Sequence, residues 1–170
     1  MTASPTPNAE YKVGDSDTRP WGSYVVTGVG KNTAGEEFCA KDISVNPGGV
    51  LSLQSHDMRR ELWTVKNGTL TVVLDDQRLS LDAGQSVNIP QGAIHCMANL
   101  TGKPVVVSEM QEGTCRESDI KRYVDANGRK TEPLNTATAQ ASVRIYNEVA
   151  AEAARMQPRA QVKKVLQGPA

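Results

Sequence analysis

The chain has 170 residues, a length suited to one ordinary domain whose core needs neither a disulfide nor a metal to stand. Lys+Arg and Asp+Glu number 19 each, so the formal net charge is zero, and no basic stripe points to nucleic acid as a partner. Cys39, Cys96 and Cys115 are widely spaced without a CxxC, the first twenty residues hold no apolar run, and no stretch is long enough to span a membrane. Reduced thiols, no signal peptide and a cytoplasmic setting are therefore expected.

Residues 1–18 are polar and rich in Pro, Thr and Asp, and a flexible N-terminal arm is expected there. Residues 19–131 form the body. Strand-like runs recur at short intervals: SYVVTGV, EEFCAKDISV, VLSLQ, ELWTV, TLTVVL, QRLSL, SVNIP, IHCMANL and PVVVSEMQ. Turn signals such as NPGG, KNG, DAG and PQG separate them. Leu70, Val72 and Leu74 share one face of their run, and Val87 and Ile89 share one face of theirs. This pattern predicts an all-β sandwich or barrel. Residues 132–170 change character. From about Asn135 to Gln157 the chain is Ala-rich and helix-compatible, with Leu134, Ala137, Ala141, Ile145, Val149, Ala153 and Met156 as an apolar stripe. Asn135 or Thr136 can cap its start, Pro158 lies past its end, and a frayed tail follows.

Two spaced groups carry the chemistry. Gly48, Gln54, His56, Glu61 and Gly68 are separated by five, one, four and six residues. Gly84, Pro90, Gly92, His95 and Asn99 are separated by five, one, two and three. Residues two apart on a strand point to one face, so Gln54 and His56 converge. Glu61 can return to the same side on the next strand, and His95 opens a later one. Two imidazoles, a carboxylate and an amide oxygen make a plausible shell for a divalent metal. A satisfied polar core cluster is the competing reading. Gly48, Gly68, Gly84 and Gly92 read as turn residues, and Pro90 and Asn99 as turn and barrel-edge residues. Cys96 follows His95 and is expected to pack on the opposite face, whereas Cys115 is expected in an exposed loop. Trp63 and Leu62 alternate, so one of them faces the cavity.

The two groups match the paired motifs of the cupin superfamily at every spacing, with Gln54 in place of the usual first His. RPWGSY (19–24), VNPGGVLSLQSH (45–56), ELWTVKNG (61–68), VNIPQGAIH (87–95) and SDIKRYVDANGR (118–129) resemble the cupin domain of type II phosphomannose isomerases. The resemblance covers about residues 19–129 and implies a double-stranded β-helix of jelly-roll type, here followed by a C-terminal helix. In that family Gln is usual at the Gln54 position. The resemblance implies one divalent metal on Gln54, His56, Glu61 and His95, Zn²⁺ first and Mn²⁺, Fe²⁺, Co²⁺ or Ni²⁺ as alternatives.

It also implies interconversion of mannose 6-phosphate and fructose 6-phosphate, with the sugar phosphate as small-molecule partner and Arg59, Arg122 and Arg129 as phosphate candidates; Lys121 is a weaker one. Arg60 reads as a surface charge. The base is not assigned. The chain departs from the family at Met58 and Leu62, where His is usual, and in GTCRESDI (113–120). Those departures open the alternative of a metal- and sugar-binding cupin without catalysis; an oxidase or dioxygenase is disfavoured by Gln54. No nucleotidyltransferase segment stands in these residues, so guanylyl transfer is not expected. The resemblance also suggests a homodimer, and the Ala-rich helix is expected either to cover a barrel opening or to join a second subunit.

Overall fold

The alternating runs close into two antiparallel sheets laid face to face. The structure, a computed structural model, describes residues 10–126 and 128–156. One sheet has six strands in the order β1 (Ser16–Arg19), β2 (Gly22–Lys31), β3 (Glu37–Val45), β10 (Val105–Gly113), β5 (Arg59–Asn67) and β8 (Ser86–Ile89). The other has five: β11 (Ile120–Val124), β4 (Leu53–His56), β9 (His95–Ala98), β6 (Thr69–Leu74) and β7 (Gln77–Asp82). The all-β expectation is met.

Period-two alternation decides what lies between the sheets. Ile43 and Val45, Trp63 and Val65, Leu70 and Val72, Val105 and Val107 turn inward from their strands and meet Ile89 and Met97. Fully burying such a side chain contributes roughly 1.5–3 kcal/mol. Asn99 is wholly buried and fastens the turn before β10 by donating Nδ2 to the carbonyls of Val45 and Lys103, at 2.9 and 2.7 Å.

The other face of the five-stranded sheet is covered by α1 (Ala137–Arg155). Thr136 caps this helix, its hydroxyl accepting from the Ala139 N–H at 3.0 Å. Ala139, Tyr146 and Val149 pack against Leu53, Val73, Cys96 and Ala98. The buried face differs from the expected stripe. It runs Ala139, Ser142, Tyr146, Val149, Ala153, while Ala137 is exposed and Leu134 and Met156 are 37% and 38% exposed. Steps of four drift around a helix of 3.6 residues per turn, and alternating steps of three and four hold one face. Among the described residues no helix is long and apolar enough to cross a membrane.

Two expectations need correction. Residues 1–9 lie outside the described residues, but from residue 10 the segment is no free arm. Tyr11 is buried against Val26, Cys39 and Cys115, the backbone is bonded at Gly14 N–Val26 O (2.8 Å), and β1 pairs with β2. A single large aromatic in a polar stretch is enough to dock it. That docking also buries Cys115, at 3% exposure, where an exposed thiol was expected.

Candidate metal centre

Strands from both sheets build the site. β4 turns Gln54 and His56 to one face, and Gln54 is the register partner of His95 on β9. Glu61 arrives from β5 in the facing sheet. His56 Nε2 lies 3.1 Å from Glu61 Oε1, and His95 Nε2 lies 3.8 Å from Glu61 Oε2. Ligand-capable atoms of these three residues all lie within 4.8 Å of one another. None of the three is more than 3% exposed.

The donor set suits a divalent cation. His95 Nδ1 donates to the Ala93 carbonyl at 2.9 Å, which leaves Nε2 as a bare lone pair, and that buried atom has no hydrogen-bond partner. Burial pushes the His95 imidazole down to about 4, against the pull of Glu61, so it is neutral at pH 7. Burial alone would raise Glu61, but the His56 hydrogen bond and the neighbouring His95 and Arg59 outweigh it and keep the carboxylate ionised. Trp63 holds the other oxygen, Nε1 donating to Oε2 at 2.9 Å, and stacks edge-on to His95 with centroids 5.4 Å apart. Trp63, not Leu62, turns inward, where it also packs in the core. Gln54 fits less directly. Its Oε1 accepts from Ser52 at 3.0 Å and its Nε2 faces His56 Nε2 at 3.4 Å. An amide binds a cation through oxygen, so Gln54 joins the shell only with its carboxamide turned over.

A cavity of about 440 Å³ opens beside this group. Beside Glu61, on the same face of the six-stranded sheet, the lining is polar in a way the motifs do not signal. Lys41 on β3 and Glu109 on β10 are register partners, and Gln111 is paired with Glu61. All are buried. Gln111 Nε2 donates to Glu109 Oε1 at 2.6 Å. Burial, then the nearby Glu61 charge, pushes the Glu109 carboxyl up to about 7, against Lys41 and Arg59. The missed signal was registral. Lys41 stands in the inward series Cys39, Ile43, Val45, and Glu109 in the series Val105, Val107, Gln111.

Residues 7–125 match the family described as mannose-6-phosphate isomerase C-terminal. The chain belongs to this family. Among its relatives, the alginate biosynthesis protein AlgA of Pseudomonas aeruginosa is 41% identical over 116 residues, 68% of this chain and 23% of AlgA. The mannose-1-phosphate guanylyltransferase of Escherichia coli is 36% identical over 121 residues, 71% of this chain and 24% of the relative. The chain thus spans about a quarter of the curated relatives it matches. A Klebsiella pneumoniae protein with a double-stranded β-helix domain superposes with a TM-score of 0.51 at 15% identity, over 59% of this chain and 83% of that one. The fold is the cupin double-stranded β-helix.

Against the family pattern, the arginines separate. Arg59 is buried and spent on the centre itself, with Nε to Glu61 Oε1 at 3.1 Å, NH2 beside His56 Nε2 at 3.3 Å and NH1 donating to the Arg116 carbonyl. Arg129 is exposed and bidentate on Asp125. Arg122 lines the cavity, beside Gln54 in the β11–β4 register, and its buried Nε has no hydrogen-bond partner. Lys121 pairs with Asp57 at the surface. Arg60 is bonded to Glu36 and Glu112 on the outer face. Leu62 and Met58, the two departures from the family, are 39% and 55% exposed, and Leu62 points away from the cavity. Neither altered residue is among those lining the cavity. Glycine at 113 is required where β10 ends beside this loop: its φ is 119°, and a Cβ would collide with the Met58 carbonyl.

Proposed function

We propose that this chain is a metal-dependent cupin that isomerises a sugar phosphate, interconverting mannose 6-phosphate and fructose 6-phosphate. The observation that carries the reading is a second buried carboxyl, Glu109, which lines the cavity from β10, the strand next to that of Glu61 in the His56–Glu61–His95 convergence. Aldose–ketose isomerisation needs a proton taken from the carbon beside a carbonyl and returned to its neighbour. Gln54, His56, Glu61 and His95 would hold the divalent ion, with Zn²⁺ first among Mn²⁺, Fe²⁺, Co²⁺ and Ni²⁺. Once bound, it would supply Lewis acidity to the carbonyl and hydroxyl oxygens. Glu109 takes and returns the carbon-bound proton. A carboxyl near 7 is matched to that work at neutral pH, and Gln111 fixes its orientation.

Arg122 is the phosphate contact supported best among the three arginines, because its guanidinium faces the cavity with a donor to spare. The arrangement favours turnover over a purely binding role: the non-catalytic alternative rested on Met58 and Leu62, and Leu62 faces away from the cavity. A cytoplasmic setting and a homodimer belong to the same proposal; the three buried free thiols suit the former.

The test is isomerisation by zinc-loaded protein. With mannose 6-phosphate in deuterium oxide, the reading expects fructose 6-phosphate carrying deuterium at C1 and recovered mannose 6-phosphate carrying deuterium at C2, seen by NMR. Fully loaded protein that neither turns over nor exchanges C2 would sink it.

A further inference from the structure

The wall formed by β3 and β10 holds a lysine that the proposed chemistry leaves unused. Lys41 is only 8% exposed. Its Nζ lies 3.9 Å from the centroid of the Tyr11 ring and 5.0 Å from that of Tyr24. Among the described residues, it has no hydrogen bond and no salt bridge. Its neighbour Glu109 gives Oε1 to Gln111 instead. Two ring faces offset only part of the cost of taking an ammonium out of water.

A second group on the same wall is short of a partner. Gln111 is 2% exposed and its Oε1 accepts nothing. A cation without an acceptor and an amide oxygen without a donor thus face one cavity. Their needs are complementary to a molecule that carries both negative charge and hydroxyl groups.

A chain of contacts leads from Lys41 to Arg122. The Tyr11 ring lies against Lys41, the Tyr11 hydroxyl donates to Glu117 Oε1 at 2.8 Å, and Glu117 Oε2 stands 3.6 Å from Arg122 NH2. Arg122 Nε is itself buried without a partner. Both cations line the cavity, with Tyr11 and Glu117 between them. Glu117 is half exposed and holds only the edge.

We propose that Lys41 and Arg122 together bind the phosphate of a phosphorylated sugar, and that Gln111 Oε1 accepts a hydroxyl of the same molecule. This rests on the sugar-phosphate reading above and adds Lys41 and Gln111 to it. Lys41 serves as a compact point charge and Arg122 as a planar fork, so a dianion meets both kinds of donor. Glu117 competes with the phosphate, because its carboxylate occupies the Tyr11 hydroxyl and lies beside Arg122.

Calorimetry on the zinc-loaded full chain tests this, with mannose 6-phosphate, mannose and inorganic phosphate as probes. Lys41→Met is expected to weaken mannose 6-phosphate and phosphate at least tenfold and leave mannose unaffected. Lys41→Arg should recover most of the loss. Glu117→Gln should tighten phosphate severalfold. Thermal melts establish that each variant is folded; should Lys41→Met not fold, Lys41→Arg and Glu117→Gln still decide. Phosphate affinity within twofold of wild type in Lys41→Met, or no tightening in Glu117→Gln, would overturn the proposal. The two readings fail separately. Phosphate binding through Lys41 without turnover removes the isomerase and keeps this site. Turnover with an unchanged KM in Lys41→Met removes this site and keeps the isomerase.

Discussion

Two adjoining parts of the cavity wall differ in how far their polar groups satisfy one another. On the part that carries the motifs, Glu61 is engaged on both oxygens, by His56, Arg59 and Trp63, and His95 Nε2 keeps a lone pair without a hydrogen-bond partner. On the wall formed by β3 and β10, Lys41 lacks an acceptor and Gln111 Oε1 lacks a donor. A cluster that keeps a bare imidazole nitrogen suits a cation. A wall that keeps a bare ammonium and a bare amide oxygen is set for a hydroxylated anion. In the proposed reading the difference separates metal holding from substrate holding, and each substitution below strikes one side of it.

The largest effect is expected at Glu61. Glu61→Ala leaves Arg59 buried without its carboxylate, a loss of about 3–5 kcal/mol for a broken buried pair, read by urea unfolding of metal-free protein. Glu109→Gln strikes the other wall. It should lower isomerisation by about 10²–10⁴-fold, the usual contribution of a positioned acid or base, while metal content stays at the wild-type level. A fall in metal content would move Glu109 to the motif wall.

The same residue predicts two pH dependences. With the ionised carboxyl as the proposed base, kcat/KM should rise with pH as the burial-raised Glu109 carboxyl loses its proton. Stability runs the other way. The folded-state value is raised, so the folded protein holds this proton more tightly than the unfolded chain does. The contribution is present in full below about 4.5 and is lost as pH rises through about 7. Wild type compared with Glu109→Gln in unfolding experiments from pH 4.5 to 8 should show that trend; a flat difference contradicts it.

Smaller effects mark regions outside both walls. Thr136→Ala should cost about 1 kcal/mol through the lost helix cap and leave kcat unchanged. Leu62→His should change stability by no more than about 0.5 kcal/mol and activity by less than twofold, since residue 62 lies on the outer face. A clear gain in activity there would mean that the outer face of β5 takes part after all.

Much of one wall was legible in the sequence and little of the other. Gln54, His56, Glu61 and His95 stand at fixed spacings between turn glycines, and spacing on strands dictates which side chains converge. Lys41 and Glu109 carry no such spacing. They lie on strands 68 residues apart in the chain, and only the β3–β10 pairing makes them neighbours. Tyr11 was hidden for a related reason: its partners, Cys39 and Cys115, come from distant strands, so the segment reads as a polar arm until the sheet exists. The helix was legible in extent and only partly in face: Val149 and Ala153 are buried as expected, but Ser142, bonded to the Asp75 carbonyl, is a buried polar residue that an apolar stripe passes over.

The central claim is that His56, Glu61 and His95 converge to hold a metal ion. Elemental analysis of full-length protein purified without added metal tests it most directly, with Glu61→Ala treated identically. The account predicts about one divalent ion per wild-type chain, zinc foremost, and a small fraction of that in the variant. Equal metal content in the two proteins would contradict it.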